Sequence, residues 1–524
     1  MKIGKVCLVV LAGVLLASLL GGLALGDEIV LTAARPKDGE SLNPITAAVS
    51  LGASRSVNLL YNQLVNVDPE KDFNVVPGLL TAWETEGYTT WIVHVREGVT
   101  FHDDTSWNAE ALKFNLDMWA VLPEATFMVY AGAAGTTEVL DEYTVKIELK
   151  EAVPLLMDFL QTAWCSIISP TAIKDHATTD DPYAMEWLND HEAGTGPFIL
   201  ESWEPGERMV VRKWENYWGG VIKKTPKIDR LIYLTVPDAA VRMMMLEKGD
   251  IDLTGDLSSE MIADLEEMQG IKVEGYSGTS RRTMIFWDIT APPFDDLKVR
   301  QAINYAINYD EIIDRIDLGY AEKLCGMPAK GYLGASPELA GYYTYDLEKA
   351  KQLMSESKYA DGFEVDLMYD PARYANYEDY ALYIQSYLSE IGIKVNIKQV
   401  VLSTQTAMQD EGDYGMGLML YSGDSVAMSA DAVRWQYCSH LPTWGWRGSH
   451  WTDDTTEVLC PQALATADRI KRAQMYREID LRAHELAVYV WITQLKPIFA
   501  MQDNIVNFRS CPPYQEWFWQ VEKK

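Results

Sequence analysis

Two charged residues stand where a chain of this pattern places chemistry. In LMLYSGDSVAMSADAVRW, residues 418–435, a β-like run over 415–421 ends in a turn, and Asp424 follows directly, with Tyr421 before it and Trp435 after it. In DPARYANY, residues 370–377, Arg373 and Tyr374 follow an alternating stretch that ends in Tyr369 and Asp370. Ligands of α/β sheets lie beyond the carboxyl ends of the parallel strands, because loops and helix N-termini converge there. If both runs are such strands, Arg373 and Asp424 line one crevice, and Tyr369, Tyr374, Tyr421 and Trp435 are the candidate residues around a ligand. A cation and an anion so placed ask for a ligand carrying the opposite pair. The plainer reading is a salt bridge between the two, or two solvated loops, and on the residues alone that reading is preferred.

The elements that must position these residues are α/β in pattern. FEVDLMYD, 363–370, alternates between Gly362 and Pro371 and reads as a strand. The next stretch, 377–392, repeats apolar residues at helical steps (Ala381, Ile384, Leu388, Ile391) and stops at Gly392. IKVNIKQV, 393–400, alternates again, and YGMGLMLY, 414–421, makes a third strand. The spacing predicts a strand-helix-strand unit with parallel strands and a right-handed crossover. Further back, 238–253 reads as a helix capped by Asp238, ended by Gly249 and followed by a strand. Its Met243–Met245 run is read as core packing before a soft ligand surface. A helix after Pro292-Pro293 turns Val299, Ala302, Ile303 and Ala306 to one face, again read as core.

Catalytic and metal patterns are missing. The chain has no GxSxG elbow, no phosphate-cradling glycine loop and no visible pair of nucleophile and base, so it is not read as an enzyme and no cofactor is expected. His191-Glu192 lacks the second histidine of a metalloprotease helix, and no cysteines have zinc spacing. FHDDT, 101–105, invites a metal reading, but it falls between an alternating strand and a helix, where a turn with a capping acid is preferred.

Length, charge and the first residues set the setting. A chain of 524 residues, 48% hydrophobic and 23% charged, buries a large core and divides into two or more domains. Lys2 and Lys5 precede an apolar run from Val6 to Leu20, and Ala24 and Gly26 stand before Asp27. This reads as a cleavable signal peptide over 1–26 and an exported protein, periplasmic or otherwise extracytoplasmic; an uncleaved anchor is the alternative. A formal net charge of −31 repels phosphate backbones, so nucleic acid is not an expected partner. After cleavage Cys165, Cys325, Cys438, Cys460 and Cys511 remain. An oxidising compartment permits disulfides, and Cys438 with Cys460 are expected to pair across a loop-rich stretch, a closure that stabilises by about 3 kcal/mol.

Several longer stretches look familiar together. AWETEGYTTWIVHVREGVTFHDDTSWNAEALKFNLD (82–117), GTGPFILESWEPGERMVVRKWENYWGG (194–220), LEKGDIDL (246–253) and PPFDDLKVRQAINYAI (292–307) occur here in order. In this the chain resembles the peptide/nickel-type extracellular solute-binding proteins of ABC importers, family 5, over nearly all of its mature length. The resemblance implies a two-lobed, type II periplasmic-binding-protein fold with an extra inserted domain and two hinge crossings. On that pattern 27–58, 195–280 and 493–524 form the main lobe, 59–194 the inserted domain and 281–492 the second lobe. The crossings fall near Ser280–Asp288 and Tyr489–Lys496.

The resemblance also implies a function: capture of short peptides by a monomer that hands them to membrane permease subunits. The acid matching Asp424 commonly holds a peptide's α-ammonium, and in dipeptide-type members an arginine matching Arg373 holds the α-carboxylate. The sequence departs from the family at Asp104, where glycine is common, at Asp288, where asparagine is usual, and after Asp424, where Val426–Ala430 replace a DP or EP pair. Capture of oligosaccharides, stacked on some of the 17 Trp and 28 Tyr, is the second expectation. A chaperone-like or structural envelope protein is the third.

Overall fold

A computed structural model describes residues 28–47, 51–71, 74–122, 135–276, 281–328, 330, 332–371, 374, 376–411, 415–422, 437, 450–511 and 515–524. Two mixed sheets organise it. The first has seven strands in the order Ile271–Gly275, Ile498–Gln502, Leu253–Gly255, Val30–Arg35, Arg230–Thr235, Arg208–Lys213 and Phe198–Glu204. The second has six, in the order Ala321–Lys323, Tyr489–Leu495, Arg281–Phe286, Met416–Ser422, Phe363–Tyr369 and Ile393–Gln399. The chain passes from the first sheet to the second between Ile271–Gly275 and Arg281–Phe286. It returns between Tyr489–Leu495 and Ile498–Gln502, with only Lys496 and Pro497 between the strands. These are the two crossings, and the fold is two-lobed α/β as expected.

The strand-helix-strand unit forms as its spacing predicts. Phe363–Tyr369 and Ile393–Gln399 pair in parallel through their whole length, and the helix Tyr377–Ser389 crosses between them, burying Ala381, Ile384 and Leu388. Gly392 takes the left-handed conformation, φ 81°, that turns the chain back into the sheet. Met416–Ser422 lies parallel to Phe363–Tyr369 and antiparallel to Arg281–Phe286. Opposite Phe286 stands Gly417, where a Cβ atom would come 1.9 Å from the phenyl ring, so only glycine lets the two strands close.

Elsewhere the helix Ala239–Lys248 is capped by the Asp238 carboxylate and ended by Gly249 at φ 77°. Met243 and Met245 pack on the small core beneath it, whereas Met244 faces solvent, so the run is core on only one side. The helix Leu297–Ala306 buries Val299, Ala302, Ile303 and Ala306 together.

A four-stranded antiparallel sheet, in the order Leu80–Glu86, Thr90–Val95, Thr144–Glu148 and Thr136–Asp141, and the hairpin of Val65–Asp68 with Asn74–Pro77 make up a further unit. FHDDT is scaffold there. His102 Nδ1 lies 2.7 Å from Glu192 Oε2, and its Nε2 lies 3.0 Å from the carbonyl of Gly196, which ties the turn to GTGPF. Asp103 accepts from the Thr105 amide at 3.0 Å, an acid-stabilised turn, while the following helix Ala109–Val121 is capped by Asn108 instead. Asp104 adopts φ 63°, the left-handed geometry that glycine supplies most easily. Among the described residues no His, Cys, Asp and Glu group has the arrangement to hold a metal ion, and no helix is long and apolar enough to cross a membrane.

Candidate functional site

The carboxyl ends of the parallel strands of both sheets meet. In the seven-stranded sheet Val30–Arg35 runs parallel to Arg230–Thr235 and to Leu253–Gly255, so Arg35 and the residue after Gly255, Asp256, stand at one edge. In the six-stranded sheet Phe363–Tyr369 and Met416–Ser422 run the same way. Leu367 pairs with Met416, so the latter strand continues past the end of its neighbour to Ser422. Ser422 pairs with Arg281, and Arg281 Nη2 donates to Asp256 Oδ1 at 2.8 Å. One ion pair thus joins the two edges.

Asp256 sits at φ 55°, a conformation that an aspartate tolerates better than most residues. Its second oxygen accepts from Arg55 Nη2 at 3.1 Å, and its backbone carbonyl accepts from the buried Arg242 at 2.7 Å. Burial alone would push the carboxyl up, but the guanidinium groups of Arg281 and Arg55 outweigh it and hold Asp256 well below the usual carboxylate range. Arg55 also meets Glu516 at 3.2 Å. Burial opposes its charge, yet Glu516 and Asp256 together push its already high pKa further up. Arg35 pairs with Asp38 at 2.5 Å and lies over the Tyr233 ring at 4.1 Å. The edge is therefore a row of guanidinium groups, each held by a carboxylate or by carbonyls, in a protein of large negative charge.

The opposite edge is built of tyrosines. Tyr369 is fully buried, and its hydroxyl accepts from Gln399 at 2.8 Å. Tyr374 donates to Asp317 Oδ1 at 3.0 Å, and Tyr380 donates to the other oxygen of the same carboxylate. Burial pushes the Asp317 carboxyl up to about 6, against the pull of these hydroxyls and of Asn376. The rings of Tyr374, Tyr377 and Tyr380 pack edge to face, with centroids 5.6 Å to 6.2 Å apart. Asn376 donates to Ser259 Oγ of the first sheet's side at 3.1 Å.

Of the residues expected at the site, Tyr369 and Tyr374 stand at this edge with their hydroxyls engaged by other side chains. Tyr421 lies in the strand Met416–Ser422, with its Cα opposite that of Arg282. Arg373, Asp424 and Trp435 lie outside the described residues. Sequence reasoning missed Asp256, Arg281, Arg55, Ser259 and Asn376. A signal for Asp256 lies in the sequence, since it follows a strand that follows a capped helix and so stands at a carboxyl edge of the same kind as that of Asp424. Asp288, which stands where the family usually has asparagine, accepts from the Thr290 amide at 2.8 Å and pairs with His450 Nδ1 at 2.7 Å.

The expected disulfide falls only partly within the described residues. Cys165 and Cys325 are buried and free, and Cys460 is buried and disulfide-bonded. Cys438 lies outside the described residues, so its pairing with Cys460 stands as a proposal only.

Two α/β lobes joined by two crossings, with the carboxyl edges of their parallel strands facing one another, define a two-lobed solute-binding protein. The family model for bacterial extracellular solute-binding proteins, family 5, matches residues 74–442. The chain belongs to that family. Curated relatives include the glutathione-binding protein GsiB of Salmonella typhi, 28% identical over 446 residues, covering 82% of this chain and 83% of that protein. GsiB of Escherichia coli O157:H7 is 27% identical over 435 residues, covering 81% of each.

Among solved structures, DppA from Helicobacter pylori in complex with peptide STSA superposes with a TM-score of 0.76 at 22% identity, covering 94% of this chain and 98% of that one. NikA from Brucella suis in complex with Fe(III)-EDTA gives 0.80 at 22%, covering 94% and 100%. Proteins of this family are extracytoplasmic, bind a small ligand and work with the permease subunits of ABC importers.

Proposed function

We propose that this protein captures short peptides, di- to oligopeptides, in the crevice between its lobes and delivers them to its permease without catalysing a reaction. The main lobe is 27–58 with 195–280 and 493–524, the inserted domain 59–194 and the second lobe 281–492. The mature chain, freed of the signal peptide 1–26, acts as a monomer. Asp424 takes the α-ammonium of the peptide and Arg373 its α-carboxylate, while Tyr421 and Trp435 wall the pocket. Tyr369 and Tyr374 hold the wall behind Arg373, and backbone groups of the loops take the peptide bonds.

One observation carries this reading. Ser422, paired with Arg281 at the meeting of the two carboxyl edges, stands two residues before Asp424 in the sequence. A zwitterion entering there supplies a counter-charge to Asp424 and another to Arg373, and a charge left unpaired on closure costs several kcal/mol. The relatives support the reading from outside, because GsiB binds glutathione and the DppA structure holds the peptide STSA. A metal chelate is the second reading, favoured by NikA with Fe(III)-EDTA.

Native mass spectrometry of the purified protein tests both. A retained mass matching peptides of two to five residues is expected, whereas a retained metal chelate or sugar sinks the peptide assignment.

A further inference from the structure

We infer that Asn376 and Ser259 form a latch between the lobes that holds the closed arrangement, and that the latch is built at the expense of a helix cap. Asn376 is the residue at the N-cap of the helix Tyr377–Ser389, a position where an asparagine side chain ordinarily accepts from the first free amides of the helix. Here it makes no such bond. Its amide nitrogen is turned away and lies 3.1 Å from Ser259 Oγ, 3.1 Å from the carbonyl of Ile316 and 3.3 Å from the Tyr374 hydroxyl.

Ser259 opens the helix Ser259–Glu266, which packs on the strands Ile271–Gly275 and Ile498–Gln502 of the seven-stranded sheet. Its own helix is capped by the neighbouring Ser258, whose hydroxyl accepts from the Met261 amide at 3.3 Å. The Ser259 hydroxyl is therefore not needed for capping and is available to the other lobe. Both ends of the contact are shielded from water, with Asn376 6% and Ser259 3% exposed.

Behind Asn376 the acceptors are fixed. Tyr374 and Tyr380 both donate to Asp317, and the Tyr380 hydroxyl also lies 2.9 Å from Thr493 Oγ1, in the strand that leads into the return crossing. The latch thus rests on a rigid block of the second lobe and closes on one hydroxyl of the main lobe. Opening the lobes would expose Asn376 and Ser259 to water, which replaces their bonds nearly in kind, so the latch biases the closed state modestly. One net hydrogen bond shifts such an equilibrium roughly five-fold. The bias lets the ligand-free protein sample the closed form and slows the departure of a bound ligand.

The inference rests on reading the protein as a binder that closes, and its main test needs no ligand. Spin labels at Val221→Cys and Ile470→Cys, exposed positions on the main and second lobes, report the inter-lobe distance of the full mature chain, alongside its radius of gyration by X-ray scattering. Ser259→Ala and Asn376→Ala are each expected to move population from the short distance to a longer one by about five-fold, and the double variant to move it no further. With a tripeptide probe, dissociation should quicken by a similar factor in each variant. Should Asn376→Ala fold poorly, Ser259→Ala alone, which removes one hydroxyl from a helix capped by another residue, decides the matter. Distances and scattering unchanged in Ser259→Ala overturn the latch, as does an additive effect in the double variant. A wild-type protein that ignores the tripeptide overturns the peptide reading while leaving the ligand-free distances to judge the latch.

Discussion

Arg281 Nη2 and Asp256 Oδ1 lie 2.8 Å apart, and this bond links the strand Arg281–Phe286 of the six-stranded sheet to the turn after a parallel strand of the seven-stranded sheet. Because Asp256 is shared with Arg55, which also meets Glu516, the link is a four-membered ion chain and not an isolated surface pair.

Replacing Asp256 with asparagine leaves Arg281 and Arg55 facing a neutral group. Breaking a buried pair costs about 3–5 kcal/mol, and the partial exposure of Asp256 reduces this to roughly 2–4. Its carboxyl is depressed in the folded state, so its contribution is present above the ordinary value of 3.8 and is lost as pH falls below it. Urea denaturation should therefore separate the variant from the parent at neutral pH and bring the two together as pH drops through about 4 to 2.

Asp317 has the opposite sign. Its carboxyl titrates near 6 when folded and at 3.8 when unfolded, so the folded state holds its proton longer, and stability declines as pH rises from about 4 to 6. Asp317→Asn keeps one acceptor for the tyrosine hydroxyls and removes the titration. The variant should gain on the parent by up to about 3 kcal/mol across that window, less whatever the lost acceptor costs. A stability difference that does not change with pH between 4 and 7 would show that the carboxyl is not held up by burial.

Asp424→Asn keeps shape and removes charge, so it should cost peptide affinity on the order of 2–5 kcal/mol. Acetylating the amino terminus of the peptide should cost the parent protein about as much and the variant far less, because each change deletes the same interaction. Calorimetry on the four combinations reads the coupling. Equal and additive losses mean that Asp424 never meets the ammonium.

Cys460 should be found joined to Cys438 when the oxidised protein is digested and mapped without reductant. Reduction of that bond should lower stability by about 3 kcal/mol, the value expected for constraining a loop of this size. Recovery of Cys438 as a free thiol would redirect the search to another cysteine.

The local pattern of this chain carried the strand-helix-strand unit, the caps at Asp238 and Gly249, the buried face of the helix Leu297–Ala306 and, through long motifs, the family itself. These are short-range properties, set by alternation, helical spacing and the few residues that start or stop an element. The same pattern carried the aromatic edge only in part: Tyr369 and Tyr374 were found, but not that Asp317 and Gln399 already occupy their hydroxyls.

What tertiary structure alone decided is which residues from distant segments share a charge. Arg55 lies in the first segment, Asp256 after the third parallel strand, Arg281 at the first crossing and Glu516 near the end of the chain, and no spacing rule connects them. Nor could the sequence say that Asn376 would forgo its cap for Ser259, because capping is a local preference worth about 1 kcal/mol. A hydrogen bond across two packed lobes, made out of reach of water, is of the same size, so only the approach of the lobes determines which bond forms.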